Sequence, residues 1–160
     1  MRKGVWLALA LAAVCARALA AGDAPRGSLV IIGGGLRANN AEVWERIVSL
    51  TGGKGARIAV LPTAAENPQK EGQLTVAALN RYGARAFIVP IAPRLAGLDA
   101  RKAADDPALA DAVRKAGGVF FTGGDQARIT SSLRRADGSN TAVLDALWAL
   151  YRRGEPVMRA

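Results

Sequence analysis

The sequence predicts an α/β protein whose mostly parallel sheet is covered by helices on both faces. Short apolar runs rich in Val, Ile, Leu and Phe alternate with longer segments whose apolar residues recur at helical spacing. We find neither an internal repeat nor a low-complexity tract. This alternation is typical of parallel strands joined by right-handed helical crossovers. The 160 residues, of which 51% are hydrophobic, are enough for one domain with its own core.

The first 20 residues have the pattern of a cleavable secretory signal peptide. Arg2 and Lys3 precede a short apolar run from Val5 to Ala16, and Ala18-Leu19-Ala20 supplies the small residues of a cleavage site. The apolar run is short for a membrane span, so an uncleaved anchor is the less favoured alternative. We therefore expect a secreted or periplasmic protein, cleaved after Ala20, without stable membrane insertion.

Charge and cysteine content exclude several functions. The 22 basic and 13 acidic residues give a net charge of +9, but the basic residues are scattered and not interleaved with aromatic ones. This predicts a solvated basic surface and no nucleic-acid partner. Cys15 is the single cysteine and lies in the leader, so disulfides, thiol catalysis and thiolate metal sites are excluded from the mature chain.

Apolar runs bounded by Gly, Pro or polar residues predict the strands. After a mobile linker at 21–27, the α/β domain is expected over 28–160. The first run is continuous enough for a strand covered on both faces, and Pro90 suggests an edge position for the third. The predicted strands are 28–32, 58–61, 86–91, 119–122 and one beginning at Pro156.

Capping residues and glycines delimit the helices. The segment 93–105 shows no regular pattern and is expected to be a loop. The predicted helices begin at Asn39 or Asn40, Pro68, Asp106-Pro107, Asp125, and Asn140 or Thr141, and four of them end near Gly52, Gly83, Gly117 and Gly154.

The strand at 119–122 runs into Gly123-Gly124 and then into Asp125-Gln126 at the start of a helix. Such a corner exposes backbone N–H groups at the carboxyl edge of a sheet, where α/β proteins bind ligands. The glycines permit positive φ and a close approach of substrate, and the helix start favours an anion or oxyanion. A plain strand–turn–helix corner with Asp125 as N-cap is the alternative.

Three loops are predicted to converge at this edge. Right-handed crossovers bring the loops at 33–35, 63–67 and 123–126 to the same side of the sheet. The first of them, Gly33 to Ala38, also fits the loose Gly-x-Gly-x-x-Ala pattern of a dinucleotide-binding fold. However, Pro62-Thr63 ends the second strand without an acid for a ribose hydroxyl, which argues against this alternative.

Three motifs resemble the cyanophycinase family, serine hydrolases of the peptidase S51 group. Phe120 to Gln126, followed by Arg128-Ile129, is similar to the family signature, and Leu29 to Gly35 and Ile58 to Ala65 are similar to its first two strands. The likeness covers about residues 28 to 154. It implies a three-layer, flavodoxin-like or class I glutamine amidotransferase-like fold. It also implies an exopeptidase that releases β-aspartyl-arginine dipeptides from cyanophycin, without a metal or organic cofactor.

The resemblance also implies roles for residues at the glycine corner. Gly123 and Gly124 would offer backbone N–H groups near the scissile carbonyl. Gln126 would reach the substrate through its amide, and Asp125 would hold the loop or contact the ligand.

Five further residues are weaker or peripheral candidates. Gly34 and Gly35 would border the pocket. Thr63 and Glu66 are weaker candidates, and the favoured interpretation of Glu66 is an ordinary acid at the start of the helix that begins at Pro68. Arg128 would bind a carboxylate or lie on the surface.

The nucleophile and base of a serine hydrolase are missing from these residues. The chain has no histidine and no Gly-x-Ser-x-Gly elbow. In the family, the corresponding strand leads into a Gly-Thr-Ser-Ala-Gly-Ala elbow and a later histidine, whereas this sequence reads Met158-Arg159-Ala160 there. We therefore expect a truncated, inactive N-terminal half, or a non-catalytic remnant or binding protein of the same fold. The expected partners are a peptide-like substrate and, in a homo-oligomer, a second copy of the chain.

Overall fold

The computed structural model of the protein describes residues 24–160. The predicted leader and the first part of the linker lie outside these residues, so signal cleavage stays a prediction. At the end of the linker, the backbone N–H of Gly27 donates to the carbonyl oxygen of Tyr151 at 2.9 Å. Within the described range, every helix is too short or too polar to cross a membrane.

Strands and helices alternate along the described chain, as the sequence predicts. The strands are β1 (Leu29–Ile31), β2 (Arg57–Leu61), β3 (Arg85–Ile88), β4 (Gly118–Phe121) and β5 (Val157–Arg159). The helices are α1 (Ala41–Leu50), α2 (Pro68–Arg81), α3 (Ala100–Ala104), α4 (Pro107–Arg114), α5 (Gln126–Leu133) and α6 (Ala142–Arg153).

The five strands form one parallel sheet in the order β1-β5-β4-β2-β3. Along one row of the register, Ala59 pairs with Val119, Val119 with Val157, and Val157 with Leu29. Strands β2 and β4 are buried along almost their whole length, which explains why they appear in the sequence as continuous apolar runs. The predicted α/β class with a parallel sheet is confirmed.

Two hydrophobic cores lie on opposite faces of the sheet. Helices α1 and α2 cover one face, where Trp44, Ile47, Phe120 and Met158 are buried. Helices α3 to α6 supply residues to the other face, which is built around residues such as Leu150. Burial of each large apolar side chain stabilises the fold by about 1.5–3 kcal/mol. The result is a three-layer sandwich.

Side-chain caps determine where the helices begin. The Asn67 and Asp106 side chains accept hydrogen bonds from backbone N–H groups of the first turns of α2 and α4. The helix starts predicted at Pro68 and at Asp106-Pro107 agree with the structure. Helix α3 was not predicted, because the segment 93–105 was expected to be a loop. Here Asp99 Oδ1 accepts from the N–H groups of Arg101 and Lys102 at 2.9 and 3.2 Å. Five residues are too few for a periodic apolar pattern.

The two edge strands differ in how well the sequence predicted them. The edge position expected for the third strand is confirmed by β3. Strand β1 pairs with β5 at the opposite edge. The expectation that it is covered on both faces is wrong, because Leu29 and Ile31 on one face are 62% and 88% exposed. Val30 on the other face, and Ile32 just after the strand, pack against the core beneath α1 and α2. An apolar run therefore does not distinguish a covered central strand from an uncovered edge strand.

Candidate functional site

The topology places a crevice between the carboxyl ends of β2 and β4. From β2 the chain crosses to β3 on one side, and it then returns to β4 on the other side of β2. The order β3-β2-β4-β5 is the flavodoxin-like order 2-1-3-4, with β1 added beside β5. In such sheets, ligands bind where the direction of winding reverses. The loops that follow β2 and β4 meet at this switch point.

A cleft of about 600 Å³ opens at this edge of the sheet. Its apolar floor includes Trp44 and Phe120, whose rings stack with centroids 5.8 Å apart. The Trp44 indole N–H donates to the carbonyl oxygen of Arg37 at 3.0 Å, which fixes the ring next to the first glycine loop. Further lining comes from α2 and from the residues that follow β1, β2, β4 and β5: Gly34, Gly35, Leu36, Ala38, Ala65, Glu66, Asn67, Lys70, Glu71, Leu74, Thr75, Ala78, Thr122, Gly123 and Ala160.

The glycine corner after β4 is held against the loop after β2. The Asp125 N–H donates to the carbonyl oxygen of Ala64 at 3.0 Å. Gly124 has φ +129°, and a Cβ at this position would lie 2.1 Å from that same oxygen. Only glycine fits here without moving the backbone. The N–H groups of Gly123 and Gly124 have no hydrogen-bond acceptor within the described residues.

The two polar residues after the glycines lie beside the cleft and do not line it. Asp125 is the N-cap of α5, and its Oδ1 accepts from the Ala127 N–H at 2.9 Å. Gln126 is the first residue of α5 and is exposed. Asp125 therefore has the capping role that the alternative interpretation of the corner gave it, and the amide of Gln126 is accessible from solvent.

Arg128 ties α5 to the loop after β2. Its Nη1 donates to the carbonyl oxygens of Ala64 and Ala65 at 3.1 and 3.0 Å, and its Nη2 lies 2.8 Å from Glu66 Oε2. Arg94 forms an ion pair with the other oxygen of Glu66. The Arg128 side chain is only 19% exposed, and its donors are engaged with the loop instead of being open to a substrate carboxylate.

Thr63 is a structural residue in this arrangement. Its side chain is buried, and Oγ1 donates to the carbonyl oxygen of Ile91 at 2.5 Å. This bond joins the start of the β2 loop to the segment after β3. Thr63 therefore shapes the edge of the sheet from beneath and lies outside the lining of the cleft.

The structure brings four of the predicted site residues into one cleft. These are Gly34, Gly35, Glu66 and Gly123. Gly35 has φ +80°, consistent with the glycine requirement of a turn after β1. The other predicted residues lie behind or beside the cleft wall: Thr63, Gly124, Asp125, Gln126 and Arg128.

Several lining residues were not identified from the sequence. Lys70, Glu71 and Leu74 lie on α2, and the apolar side chain of Leu74 is 55% exposed. Their proximity to the glycine loops depends on how α2 crosses the sheet. Thr122 was also missed, although strand alternation places it on the same side of β4 as Phe120.

Comparison with known proteins finds similarity to a curated cyanophycinase and to a solved peptidase structure. The chain is 29% identical over 132 residues to a cyanophycinase of Geminocystis herdmanii, which covers 81% of this chain and 44% of that protein. The crystal structure of a peptidase from an acI-B1 actinobacterium superposes with a TM-score of 0.67 at 22% identity, over 86% of this chain and 55% of that one. No family model matches the chain.

The first match confirms the resemblance to the cyanophycinase family that the motifs indicate, and the second shows the fold. The chain spans about half the length of both proteins.

Proposed function

We propose that this chain forms the substrate-binding side of a cyanophycinase-like serine peptidase. In this proposal the cleft holds an aspartyl peptide, such as the β-aspartyl-arginine unit of cyanophycin. One observation carries the proposal: the cleft lies at the switch point of the sheet, beside the unsatisfied N–H groups of Gly123 and Gly124. These N–H groups suit the carbonyl oxygen of a peptide bond.

The charges at the cleft fit a substrate that carries both signs. Lys70 and Glu71 both line it, and both are exposed. A β-aspartyl-arginine unit has carboxylates for the lysine and a guanidinium for the glutamate. The stacked rings of Trp44 and Phe120 offer an apolar floor for the methylene groups of the arginine side chain.

The chemical step requires groups that these 160 residues do not contain. Acyl transfer by serine needs a base within hydrogen-bond reach, and the sequence has no histidine. Among the described residues, the lining of the cleft includes no serine. We therefore propose that these residues bind substrate without hydrolysing it. The alternative is a non-catalytic binding protein of the same fold. It would use the same cleft, but no form of the protein would hydrolyse the bound substrate.

The dinucleotide alternative has less support from the geometry. In that class of site the helix begins within the glycine motif, so that its N–H groups meet the pyrophosphate. Here α1 begins at Ala41, six positions after Gly35. This alternative predicts an enhancement of NADH fluorescence on titration with the protein, and we expect none.

Calorimetric titration tests the proposal directly. We expect saturable binding of β-aspartyl-arginine and weaker binding of the α-linked isomer, because the isomer places its free carboxylate at a different distance from the guanidinium. We expect no release of dipeptide from cyanophycin and no labelling by a serine-directed fluorophosphonate. Failure of the chain to bind either dipeptide would refute the proposed function. Labelling or hydrolysis would refute the proposed lack of catalysis.

We also propose that the protein is exported, on the basis of the leader pattern in residues 1–20. Mass spectrometry of the protein from the periplasm and medium of an expressing bacterium should then find Ala21 at the N-terminus. Full-length protein confined to the cytoplasm would contradict export.

A further inference from the structure

Two buried hydroxyl groups have no hydrogen-bond partner within the described residues. They belong to Thr122, which is 4% exposed, and Ser132, which is 1% exposed. A buried polar group without a partner is unfavourable, because it has lost its bonds to water and gained none in the protein. Each such group therefore calls for an explanation.

The two hydroxyls differ in where they lie. Thr122 follows β4 and lines the cleft between Phe120 and Gly123. Ser132 is near the end of α5 and is not part of the lining. The backbone N–H of Thr122 is already bound to the carbonyl oxygen of Leu61 at 3.2 Å, so the residue is fixed while its hydroxyl remains unsatisfied.

The neighbouring groups indicate which kind of atom the Thr122 hydroxyl would meet. The N–H groups of Gly123 and Gly124 have no acceptor within the described residues, and Gly123 shares the cleft. A ligand atom that approaches an N–H donor must be an acceptor. A hydroxyl rotates freely and donates one hydrogen bond to such an atom.

We infer that Thr122 Oγ1 donates a hydrogen bond to an oxygen atom of the bound substrate, next to the Gly123 N–H. The ligand atom is a carbonyl or carboxylate oxygen of an aspartyl peptide, so the inference rests on the proposed function. Thr122 is thus a substrate-contacting residue, and its hydroxyl becomes satisfied when the cleft is occupied.

Three variants of the full chain test this inference. Thr122→Val keeps the shape of the side chain and removes the hydroxyl, while Thr122→Ser keeps the hydroxyl. Ser132→Ala is the matched control, because it removes the other unpartnered hydroxyl away from the cleft. Each variant is measured in two ways: by the urea midpoint of the ligand-free protein, and by calorimetric titration with β-aspartyl-arginine.

We expect Thr122→Val to keep or raise the urea midpoint and to weaken dipeptide binding about tenfold, as the loss of one hydrogen bond to ligand does. Thr122→Ser should bind within about threefold of wild type, since a flexible hydroxyl still reaches the ligand. Ser132→Ala should bind like wild type.

Two results would overturn the inference while leaving the proposed function intact. One is that Thr122→Val binds the dipeptide as tightly as wild type. The other is a clearly lower urea midpoint in Thr122→Val, which would mean that the Thr122 hydroxyl has a partner inside the protein. If wild type binds no dipeptide, the proposed function fails. The urea midpoint of Thr122→Val then shows whether the Thr122 hydroxyl has a partner inside the protein. An unchanged or raised midpoint then supports a hydroxyl left open for a ligand, and a lowered one overturns it.

Discussion

Replacement of Gly124 by alanine should destabilise the protein through two separate effects. Gly124 has φ +129°, a conformation that alanine rarely adopts. The new Cβ would also lie 2.1 Å from the carbonyl oxygen of Ala64 and 2.6 Å from its carbonyl carbon. These are backbone atoms, so no side-chain rotation relieves the contact, and the loops after β2 and β4 must separate.

The expected magnitude follows from these two effects. The unfavourable backbone conformation costs about 1–3 kcal/mol. Separation of the loops also breaks the 3.0 Å hydrogen bond from the Asp125 N–H to the Ala64 oxygen, worth about 1 kcal/mol. We therefore expect Gly124→Ala to lower the free energy of unfolding by about 2–4 kcal/mol, a large share of the 5–15 kcal/mol typical of a domain.

Gly138→Ala is the matched control for this experiment. Gly138 also has a positive φ, +81°, but a Cβ there would meet no atom within 4 Å. It should cost about 1–2 kcal/mol from backbone conformation alone. Urea denaturation of both variants and of wild type gives the comparison. If Gly124→Ala is no less stable than Gly138→Ala, the contact with Ala64 does not constrain the corner and this reasoning is refuted.

Three further predictions concern other parts of the fold. Arg128→Ala should lower the unfolding free energy by about 1–3 kcal/mol, because two backbone carbonyls lose a charged donor. Glu66→Gln should change it by less than about 1 kcal/mol, because the Glu66 side chain is 71% exposed; equal losses in urea denaturation would contradict this ranking. The hydrogen bond from Arg135 holds the pKa of Asp105 below its ordinary value of 3.8. Its stabilising contribution is therefore complete above about pH 4 and is lost as the pH falls through the lowered, folded-state pKa. Asp105→Asn should therefore reduce the fall of the urea midpoint at acidic pH. A pH profile identical to that of wild type would contradict this contribution of Asp105. Ile31→Thr, on the exposed face of β1, should leave the free energy of unfolding within about 0.5 kcal/mol of wild type. It should also reduce self-association measured by light scattering, because it removes an exposed apolar side chain from an edge strand. Unchanged scattering would mean that self-association does not occur through this edge.

The sequence predicted those parts of the fold that depend on local patterns. Continuous apolar runs identified β2 and β4, while Pro68 and Asp106-Pro107 located the starts of α2 and α4. Helix α3 was missed because its five residues are held by a single cap. The exposure of β1 was missed because strand order is decided by pairing between distant segments, which a run of apolar residues does not record.

The same distinction applies to the cleft. The glycine loops containing Gly35 and Gly123 were predicted to meet, because right-handed crossovers bring successive strand ends to one edge. The role of Arg128 was left open, since its partners at Ala64 and Ala65 lie more than sixty positions away in the chain. Thr122 was overlooked because an unsatisfied hydroxyl becomes visible only when all surrounding partners are known.

The most direct test of the account is a titration of the isotope-labelled protein with β-aspartyl-arginine, followed by two-dimensional amide NMR. Binding at the proposed cleft predicts saturable shifts of the amides of Gly34, Gly35, Thr122 and Gly123. A second cleft, of about 530 Å³, lies at the amino ends of β2 and β3 and is lined by residues that include Lys54 and Gly83. Saturable shifts confined to that second cleft, or no saturable shift at all, would contradict the central claim.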